Sequence, residues 1–506
     1  MIRIKSAFAL GIHAFPVDIE VDVGGGIPQL AIVGLPDASI KESRERVRTA
    51  IKNSGFQLAQ EKVTVSLAPA ELKKEGASFD LPIALGILAC HGMIPPENLS
   101  GFIILGELAL DGNIRPLKGV IAITAALKGH TFLLPSENSV EASLVKGATV
   151  YPAKTLKEVV GFLRGEIMLS PAEIKNGGDR ASRVFSDVDF SEVKGQRSAK
   201  RAIEIAVAGN HKILLIGPPG SGKTMLARRI PTILPPMDAE ESLEVTKIHS
   251  VAGLMPQQGD LIRNRPFRAP HYTASAVALT GGGSDPRPGE ISLAHAGVLF
   301  LDEFPEFRRD ALEALRGPLE DGFITVSRVK MQVTYPAQFL LVTAMNPCPC
   351  GHLSDPRKSC RCSLGQIHKY RSRISGPILD RIDIQIEVPS LPFQTLASHE
   401  EAESSEKIRY RICECRKLQK KRFRMRPYRT NALMNPKDIK EYASPDIQGQ
   451  KLIEAAMKEL HLSARAYYKI LKIARTISDL AGSEQIQSEH IAEAIQYRSL
   501  DRQWWA

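Results

Sequence analysis

The stretch "ILLIGPPGSGKT", residues 213–224, decides the fold of the central part of this chain. Its four apolar residues predict a buried strand, and the "MLARRI" that follows predicts the start of a helix. In a glycine-rich turn between strand and helix, backbone N–H groups bind phosphates, the lysine contacts the β- and γ-phosphates, and the threonine binds Mg²⁺. The predicted nucleotide-binding residues are Gly217, Pro218, Pro219, Gly220, Ser221, Gly222, Lys223 and Thr224.

Two further apolar strands end in polar residues of the kind that Mg²⁺ binding and hydrolysis of a phosphate bond need. "GVLFLDEF", residues 297–304, ends in Asp302, predicted as a second Mg²⁺ ligand, and in Glu303, predicted to polarise the attacking water. "FLLVTAMNP", residues 339–347, ends in Asn346, whose amide can orient that water against the γ-phosphate. Strands that alternate with helices over this region predict a parallel α/β sheet.

Composition limits the class of protein and of partner. A chain of 506 residues is long enough for several domains, and its formal net charge of +10 favours a polyanionic partner such as nucleic acid. We predict no membrane span, because no run of about 18 apolar residues occurs. The N-terminal "VDIEVDV" alternates as a strand does, and no cleavage site precedes it, which favours the cytoplasm over secretion.

Composition also divides the chain into segments, and the overall prediction is a multidomain α/β protein. Residues 1–165 predict an α+β domain, residues 166–190 a linker, and residues 191–392 the α/β core described above. Residues 393–430 turn polar and then basic, which predicts a basic linker. Residues 431–506 show helical spacing of apolar residues.

Four of the seven cysteines crowd into "CPCGHLSDPRKSCRC", residues 348–362. Two Cys-x-Cys pairs that converge from short turns suit tetrahedral Zn²⁺, and four thiolates would close the site and make it structural. The predicted ligands are Cys348, Cys350, Cys360 and Cys362. The alternative is a loop with free thiols, because structural zinc sites more often use Cys-x-x-Cys.

The three strands and their polar ends resemble the AAA+ ATPases, with Asn346 in the place of their sensor-one residue. "GPILDRIDIQIEV", residues 376–388, resembles the segment of that family that carries an arginine finger, here Arg381. "LSARAYYKILKIARTISDLAG", residues 462–482, resembles the lid helix with the sensor-two arginine, here Arg465. The resemblance implies ATP and Mg²⁺ as cofactors and a ring, expected to be a homo-hexamer, because an arginine finger acts across a subunit boundary.

More closely, the chain resembles the ComM/YifB family of magnesium-chelatase-like competence ATPases. The motifs that carry this resemblance are "PFRAPHYTAS", "GEISLAHAGVLFLDEFPEF", "MNPCPCG" and "LAPAELKKEGASFDLPIALG". The resemblance implies a DNA motor that promotes branch migration in recombination and natural transformation. Single-stranded or branched DNA and recombination proteins are the implied partners. The alternative is a motor of the magnesium-chelatase type that drives a partner enzyme.

Two features of the core point to DNA contacts under this resemblance. "ITVSRVKMQVTYP", residues 324–336, reads as the family's pre-sensor hairpin, with Arg328 and Lys330 near its tip as the predicted DNA contacts. The insert, residues 263–297, resembles the helix-two insert and offers His271 and Tyr272, for which packing is the favoured interpretation. The basic strip, residues 416–429, has eight basic residues and is equally interpreted as a DNA contact or as a solvated linker.

The first 165 residues resemble the catalytic domain of Lon protease, whose nucleophile would correspond to Ser78 in "EGASFD". The position of the basic lysine corresponds to Ile121, and Lys118 lies three residues away. Without a base of lowered pKa, Ser78 is an unactivated hydroxyl. The sequence therefore predicts a proteolytically inactive domain and disfavours a peptidase.

Overall fold

The structure is a computed structural model. It describes residues 1–34, 38–69, 78–172, 188–255, 260–283, 286–328, 331–353, 355–392, 394–395, 402–426, 429–460 and 462–500.

The first domain is built on a seven-stranded mixed sheet. The strands of this domain are β1 Ile2–Leu10, β2 His13–Gly24, β3 Gln29–Val33, β4 Lys62–Ala68, β5 Phe102–Ile104, β6 Glu107–Leu108, β7 Ile114–Arg115, β8 Thr131–Pro135 and β9 Thr149–Ala153. In the sheet they run in the order β3-β4-β2-β1-β5-β8-β9, while β6 and β7 form a separate pair. The predicted alternation holds in β2, where Val17, Ile19 and Val21 are buried.

Five helices and two 3₁₀ turns complete this domain within the described residues. They are Ala38–Asn53, Asp80–Cys90, Val120–Ala126, Ser139–Ser143 and Leu156–Leu163, with Pro96–Leu99 and Ser136–Asn138. Asp80–Cys90 is buried along nearly its whole length. Its first residue, Asp80, is paired with Arg46, whose Nε lies 2.9 Å from Asp80 Oδ2.

The second domain holds a five-stranded sheet in the order β11-β14-β17-β10-β18, and all its pairs are parallel. Its strands are β10 Ile213–Ile216, β11 Phe267–Arg268, β14 Val298–Leu301, β17 Leu340–Met345 and β18 Ile384–Glu387. Two short antiparallel pairs lie outside this sheet: β12 Gly281–Gly282 with β13 Arg287–Pro288, and β15 Phe323–Arg328 with β16 Met331–Pro336. The pair β15–β16 is a hairpin, as the sequence predicts. Parallel strands place their carboxyl ends at one edge, where α/β proteins bind ligands.

The helices of the second domain cover this sheet. They are Arg197–Gly209, Lys223–Ile233, Ala239–Ala252, Ala276–Thr280, Glu290–Leu293, Arg309–Glu313, Arg316–Asp321, Leu364–Arg371 and Gly376–Leu379, with 3₁₀ turns Phe190–Glu192 and Phe304–Glu306.

The described part of the chain after residue 401 is helical. Its helices are Ser405–Arg422, Pro436–Tyr442, Ile447–Glu459, Ala464–Leu480 and Ser488–Gln496, with the 3₁₀ turn Asn431–Leu433. They share one hydrophobic core with one face of the five-stranded sheet, in which Ile473 and Ile491 pack with Ile213 and Leu215.

The structure differs from the predicted basic linker at residues 393–430. Helix Ser405–Arg422 buries Ile408, Ile412 and Cys415 in the same core. Apolar residues three to four positions apart form one face of a helix, and the density of basic residues between them hides this pattern in the sequence. The segment is thus a packed element over these residues.

The two domains meet through a buried polar junction. Ser250, near the end of helix Ala239–Ala252, donates a hydrogen bond to Glu141 and accepts one from Gly119 N at 3.0 Å. The backbone N–H of Ile121 also donates to Glu141, at 3.1 Å. Burial raises the pKa of the Glu141 carboxyl, while these donors act in the opposite direction.

Among the helices of the described residues, none has the length and apolarity that crossing a membrane requires.

Candidate nucleotide site

The glycine-rich turn after β10 sits at the carboxyl edge of the five-stranded sheet, with the predicted strand before it and helix Lys223–Ile233 after it. Gly217 can carry no side chain, because a Cβ there would lie 2.1 Å from the carbonyl oxygen of Val388. Ser221 Oγ is buried and has no hydrogen-bond partner within the described part of the chain. A buried hydroxyl without a partner in a turn rich in N–H donors fits a phosphate ligand.

Lys223 is the first residue of helix Lys223–Ile233, and its side chain reaches back over the turn. Its ammonium donates to the carbonyl oxygens of Gly217 and Pro218, at 2.6 and 2.9 Å, and to Asn346 Oδ1 at 3.3 Å. Burial lowers the pKa of Lys223 to about 8, while the Asp302 carboxylate acts in the opposite direction. Among the described residues, this ammonium is held by carbonyl and amide oxygens and by no carboxylate at hydrogen-bond distance. A phosphate would supply the anionic partner.

The predicted magnesium ligands meet directly. Thr224 Oγ1 donates to Asp302 Oδ2 at 2.6 Å, although the two residues are far apart in the chain. A hydroxyl and a carboxylate are oxygen ligands that Mg²⁺ takes together with phosphate oxygens and waters. Side by side at the end of the turn, this pair fits the ion that the sequence predicts.

Glu303 follows Asp302 in a left-handed backbone conformation, with φ at 52°. Such a conformation is costly for a residue other than glycine and occurs preferentially at functional sites. Its N–H donates to Asp302 Oδ1 at 2.9 Å, and its side chain is exposed at the sheet edge. A carboxylate placed in solvent beside the magnesium pair is where a water-polarising group is expected.

Asn346 lies beside the turn, where its Oδ1 accepts a hydrogen bond from Lys223. The turn that follows it packs on the phosphate-binding turn. Gly351 has φ at 81°, and a Cβ there would lie 2.5 Å from Pro219 Cδ, so only glycine permits this approach. The cysteine-rich loop is therefore in direct contact with the nucleotide site.

Two residues that the sequence analysis missed hold this site together. Gln196 Nε2 donates to the carbonyl oxygens of Ser221 and Pro389, at 3.0 and 2.7 Å, and thereby joins the phosphate-binding turn to the segment after β18. Arg371 donates to Pro347 O at 3.2 Å, next to Asn346. No motif marks either residue. Gln196 also has a left-handed backbone with φ at 51°, which the sequence does not reveal.

The four cysteines of the predicted zinc site converge. All four Sγ atoms lie within 4.8 Å of one another, and the closest separations are 3.4 Å for Cys348–Cys350 and 3.6 Å for Cys348–Cys360 and Cys350–Cys360. Zinc–sulfur bonds of about 2.3 Å place the sulfurs of a tetrahedral site about 3.8 Å apart. Backbone N–H groups of Arg361 and His352 lower the pKa of Cys350 to about 6, which favours a thiolate. The donor set can hold a metal ion.

Arg381 and Arg465 lie away from the chain's own phosphate-binding turn. Arg381 donates to Glu320, and Arg465 Nη1 lies 3.3 Å from Asp380 Oδ2. Arg381 and Asp380, the partner of Arg465, come just before β18. The start of β18 is held by the Asp383 N–H, which donates to Lys212 O, and Lys212 precedes β10. The turn follows the other end of β10, about 13 Å further along four residues of strand. The two predicted arginines therefore share one edge of the sheet, opposite the nucleotide.

The predicted DNA contacts fall largely outside what the structure describes. Lys330 lies outside the described residues, and Arg328 is described only as the last residue of strand β15.

The basic strip is better described than the hairpin tip. Arg422 pairs with Asp479 at 2.6 Å, Arg426 with Asp438 at 2.7 Å, and Arg416 donates to Val207 O at 2.7 Å. Phe423, the aromatic residue within this strip, is fully buried and cannot stack on a base. Much of this strip fixes the C-terminal helices, which corrects its interpretation as a solvated linker.

Ser78 has surroundings of a different kind. Its carbonyl accepts a hydrogen bond from Gly106 N at 3.0 Å, and no side chain of the described residues hydrogen bonds its hydroxyl. Ile121 is fully buried in helix Val120–Ala126, and the Lys118 ammonium lies beside Gly253 of the second domain. The structure thus assigns Lys118 to the domain contact.

Three family matches cover most of the chain. Residues 189–396 match magnesium chelatase subunit ChlI, residues 19–138 match subunit ChlI of Mg-chelatase, and residues 402–498 match the ChlI C-terminal family. These matches imply a nucleotide and Mg²⁺ as cofactors, and they confirm the predicted AAA+ class with its parallel sheet.

Two individual relatives match the chain over nearly its whole length, and a third matches part of it. The chain is 43% identical to competence protein ComM of Haemophilus influenzae over 508 residues, 99% of this chain and 97% of that protein. It is 43% identical to YifB of Escherichia coli over 497 residues, 98% of this chain and 96% of that protein. The magnesium-chelatase 38 kDa subunit of Rhodobacter capsulatus is 25% identical over 179 residues, 31% of this chain and 50% of that protein. By these full-length matches, the chain belongs to the ComM/YifB family of magnesium-chelatase-like AAA+ proteins.

Proposed function

We propose that this chain is an ATPase that works as a homo-hexameric ring and drives movement along single-stranded or branched DNA. The observation that carries the proposal is the convergence of Lys223, Asp302 and Asn346 at one sheet edge. Lys223 donates a hydrogen bond to Asn346, and Thr224, the next residue in the chain, donates one to Asp302. A competence protein among the full-length relatives supports DNA as the substrate, and so does the net charge of +10. The setting is recombination and natural transformation in the cytoplasm, with recombination proteins as partners.

The roles of the site residues follow from their positions. ATP supplies the phosphoryl group whose transfer to water releases the free energy that the motor uses. Lys223 and the N–H groups of the turn bind the β- and γ-phosphates, with the Ser221 hydroxyl as a further donor. Thr224 and Asp302 hold Mg²⁺, Glu303 accepts a proton from the attacking water, and Asn346 orients that water.

The arginines act on a neighbouring subunit in this proposal. Arg381 and Arg465 lie at the sheet edge opposite their own nucleotide, so each needs another chain's site to act on. Two guanidinium groups on one edge would stabilise the negative charge that develops on the phosphates of the adjacent subunit. The C-terminal helices, which carry Arg465 and pack on the sheet, take the place of the AAA+ lid.

The remaining parts receive supporting roles. The four cysteines hold one structural Zn²⁺ that stiffens the loop between Asn346 and helix Leu364–Arg371. The first domain is a Lon-like domain without a catalytic base, and it joins the second domain at Ser250. The hairpin β15–β16 presents Arg328 and Lys330 to DNA in the pore of the ring.

The hairpin provides the experiment that tests the DNA part. DNA binding by wild-type protein should weaken steeply with salt, because each neutralised phosphate releases counterions. Replacing Arg328 and Lys330 together by alanine should bring the ratio of turnover with DNA to turnover without DNA toward one, and strand displacement should fail. The matched control replaces Lys128 and Lys146, which are exposed on the first domain, and should keep the wild-type ratio. A hairpin variant with wild-type stimulation and displacement would contradict the assignment.

The second candidate is a motor of the magnesium-chelatase type, favoured by the match to the Rhodobacter capsulatus subunit. It would use the same nucleotide site to drive a partner enzyme. Turnover that is independent of DNA, together with DNA binding that is insensitive to the hairpin substitutions, would support it.

A further inference from the structure

Two aromatic rings lie in contact on the surface of the insert. The ring centroids of His271 and Tyr272 are 4.2 Å apart, and their planes are tilted by 35°. Both side chains are exposed, Tyr272 to 36% of its full area. The packing interpretation that the sequence favours therefore does not describe them, and a role at the surface has to account for the pair.

The pair is held in place by its own turn. His271 Nδ1 lies 2.8 Å from Thr273 Oγ1, and the Thr273 N–H is 3.4 Å from the same nitrogen. Ala274 N donates to His271 O at 2.9 Å, which closes the turn. The orientation of the imidazole is thereby fixed before any ligand binds, and a ligand does not have to order it.

The insert is joined to the hairpin β15–β16. Tyr335 Oη donates to Pro286 O at 2.6 Å, and Leu279 of the insert shares one apolar cluster with Val333 and Tyr335. The turn with the two rings and the hairpin with the predicted DNA contacts thus belong to one packed block. Residues 263–275 contain no acidic residue, and two of their three arginines, Arg265 and Arg268, are paired with Glu241 and Glu290. The segment itself therefore adds no negative charge that would repel a phosphate backbone.

We propose that His271 and Tyr272 form a stacking platform for the unpaired bases of single-stranded DNA, an inference that rests on the proposed function. Aromatic faces accept every base, because each base has a π-face, and such platforms bind single strands with little dependence on sequence. Base pairing and stacking in a duplex hide these faces. The platform consequently binds the unpaired strand, while Arg328 and Lys330 of the hairpin contact the phosphates of both single-stranded and duplex DNA.

The test is the affinity of full-length protein for a thymidine oligonucleotide and for a duplex, measured by fluorescence anisotropy across a range of salt. Tyr272→Ala should weaken binding of the single strand roughly tenfold and leave duplex binding unchanged. The slope of log Kd against log salt should stay at the wild-type value, because no phosphate contact is lost. Tyr272→Phe should restore single-strand binding. Tyr468→Ala is the matched control, since Tyr468 is 42% exposed and touches Tyr467 in helix Ala464–Leu480.

The outcomes separate this inference from the proposed function. If wild-type protein binds DNA and Tyr272→Ala binds the single strand equally well, the platform is refuted and the motor stands. An equal loss on duplex, or a reduced salt slope, also refutes stacking. Preference for an RNA oligonucleotide with the same loss in Tyr272→Ala would overturn DNA as the ligand. Absence of DNA binding by the wild type would instead remove the proposed function. Quenching of Tyr272→Trp fluorescence by the oligonucleotide supports the platform without an alanine variant.

Discussion

A turn at Ser78 and a turn that ends at Lys223 each precede a helix and carry a residue typical of a catalytic centre. Around Lys223 the fold assembles acceptors from separate strands, including Asn346 and, through Thr224, Asp302. At Ser78 no described side chain hydrogen bonds the hydroxyl. Ile121, which the resemblance aligns with the basic lysine, is buried, and Lys118 contacts the second domain instead. A reactive group in a suitable turn becomes a catalytic site only where other elements of the fold bring its partners.

The largest expected effect is at Glu303. Glu303→Gln should lower turnover by at least a hundredfold, because general-base assistance contributes about 100- to 10,000-fold. Binding of ATP and assembly of the ring should persist, since the amide keeps the size of the side chain. Steady-state phosphate release and equilibrium binding of a fluorescent ATP analogue measure the two properties.

The control for this substitution is Glu306→Gln, an exposed carboxylate three residues further along that pairs with Arg373. It should retain turnover close to that of the wild type. Near-normal turnover in Glu303→Gln would remove Glu303 from the mechanism and weaken the contrast between the two turns.

The next largest effect is expected at Arg381, which acts on the neighbouring subunit in this proposal. Arg381→Ala alone should abolish turnover, and mixing it with Lys223→Ala should restore part of the activity at interfaces that combine an intact site with an intact arginine. Mixing Lys223→Ala with Glu303→Gln is the control and should restore nothing, because both defects lie in the same chain's nucleotide site. Rings that form but show no recovery at any mixing ratio would argue that Arg381 does not act in trans.

The candidate nucleotide site was the most predictable part of the molecule, because strand β10, the glycine-rich turn and the helix that follow one another at residues 213–233 are a local pattern of the sequence. Gln196 and the contact between Gly351 and Pro219 were not predictable, since both depend on how distant segments meet. Helix Ser405–Arg422 was misread because its basic residues outnumber the apolar residues that it buries. His271 and Tyr272 were taken for packing residues because Tyr and His are intermediate in burial, and the sequence does not show which of them are exposed.

Loss of the metal should have a smaller effect on turnover, and it should also weaken the interaction with ATP. We expect about one Zn²⁺ per chain, and Cys360→Ser should release it. The KM for ATP should then rise, because the loop packs on the phosphate-binding turn through Gly351 and Pro219. Elemental analysis and steady-state kinetics test both points.

Cys90→Ser, outside the cluster, is the matched control and should keep both metal and KM. Protein purified without chelator that contains no metal would reject the zinc site and leave the four cysteines as free thiols.

The smallest expected effect is none at all. Ser78→Ala should leave ATP turnover, DNA binding and strand displacement unchanged, because no described side chain activates the hydroxyl. A casein-type peptidase assay should show no activity in either protein. Peptidase activity that disappears in the variant would overturn the contrast between the two turns and give the first domain a catalytic role.

Turnover of ATP by wild-type rings with and without branched DNA tests the central claim most directly. The proposed motor predicts that single-stranded and branched DNA raise turnover, that the stimulation declines as salt is added, and that strands are displaced from forked or four-way substrates only when ATP is hydrolysed. Turnover that is the same with and without every DNA substrate, with no strand displacement, would contradict it and favour the chelatase-type motor.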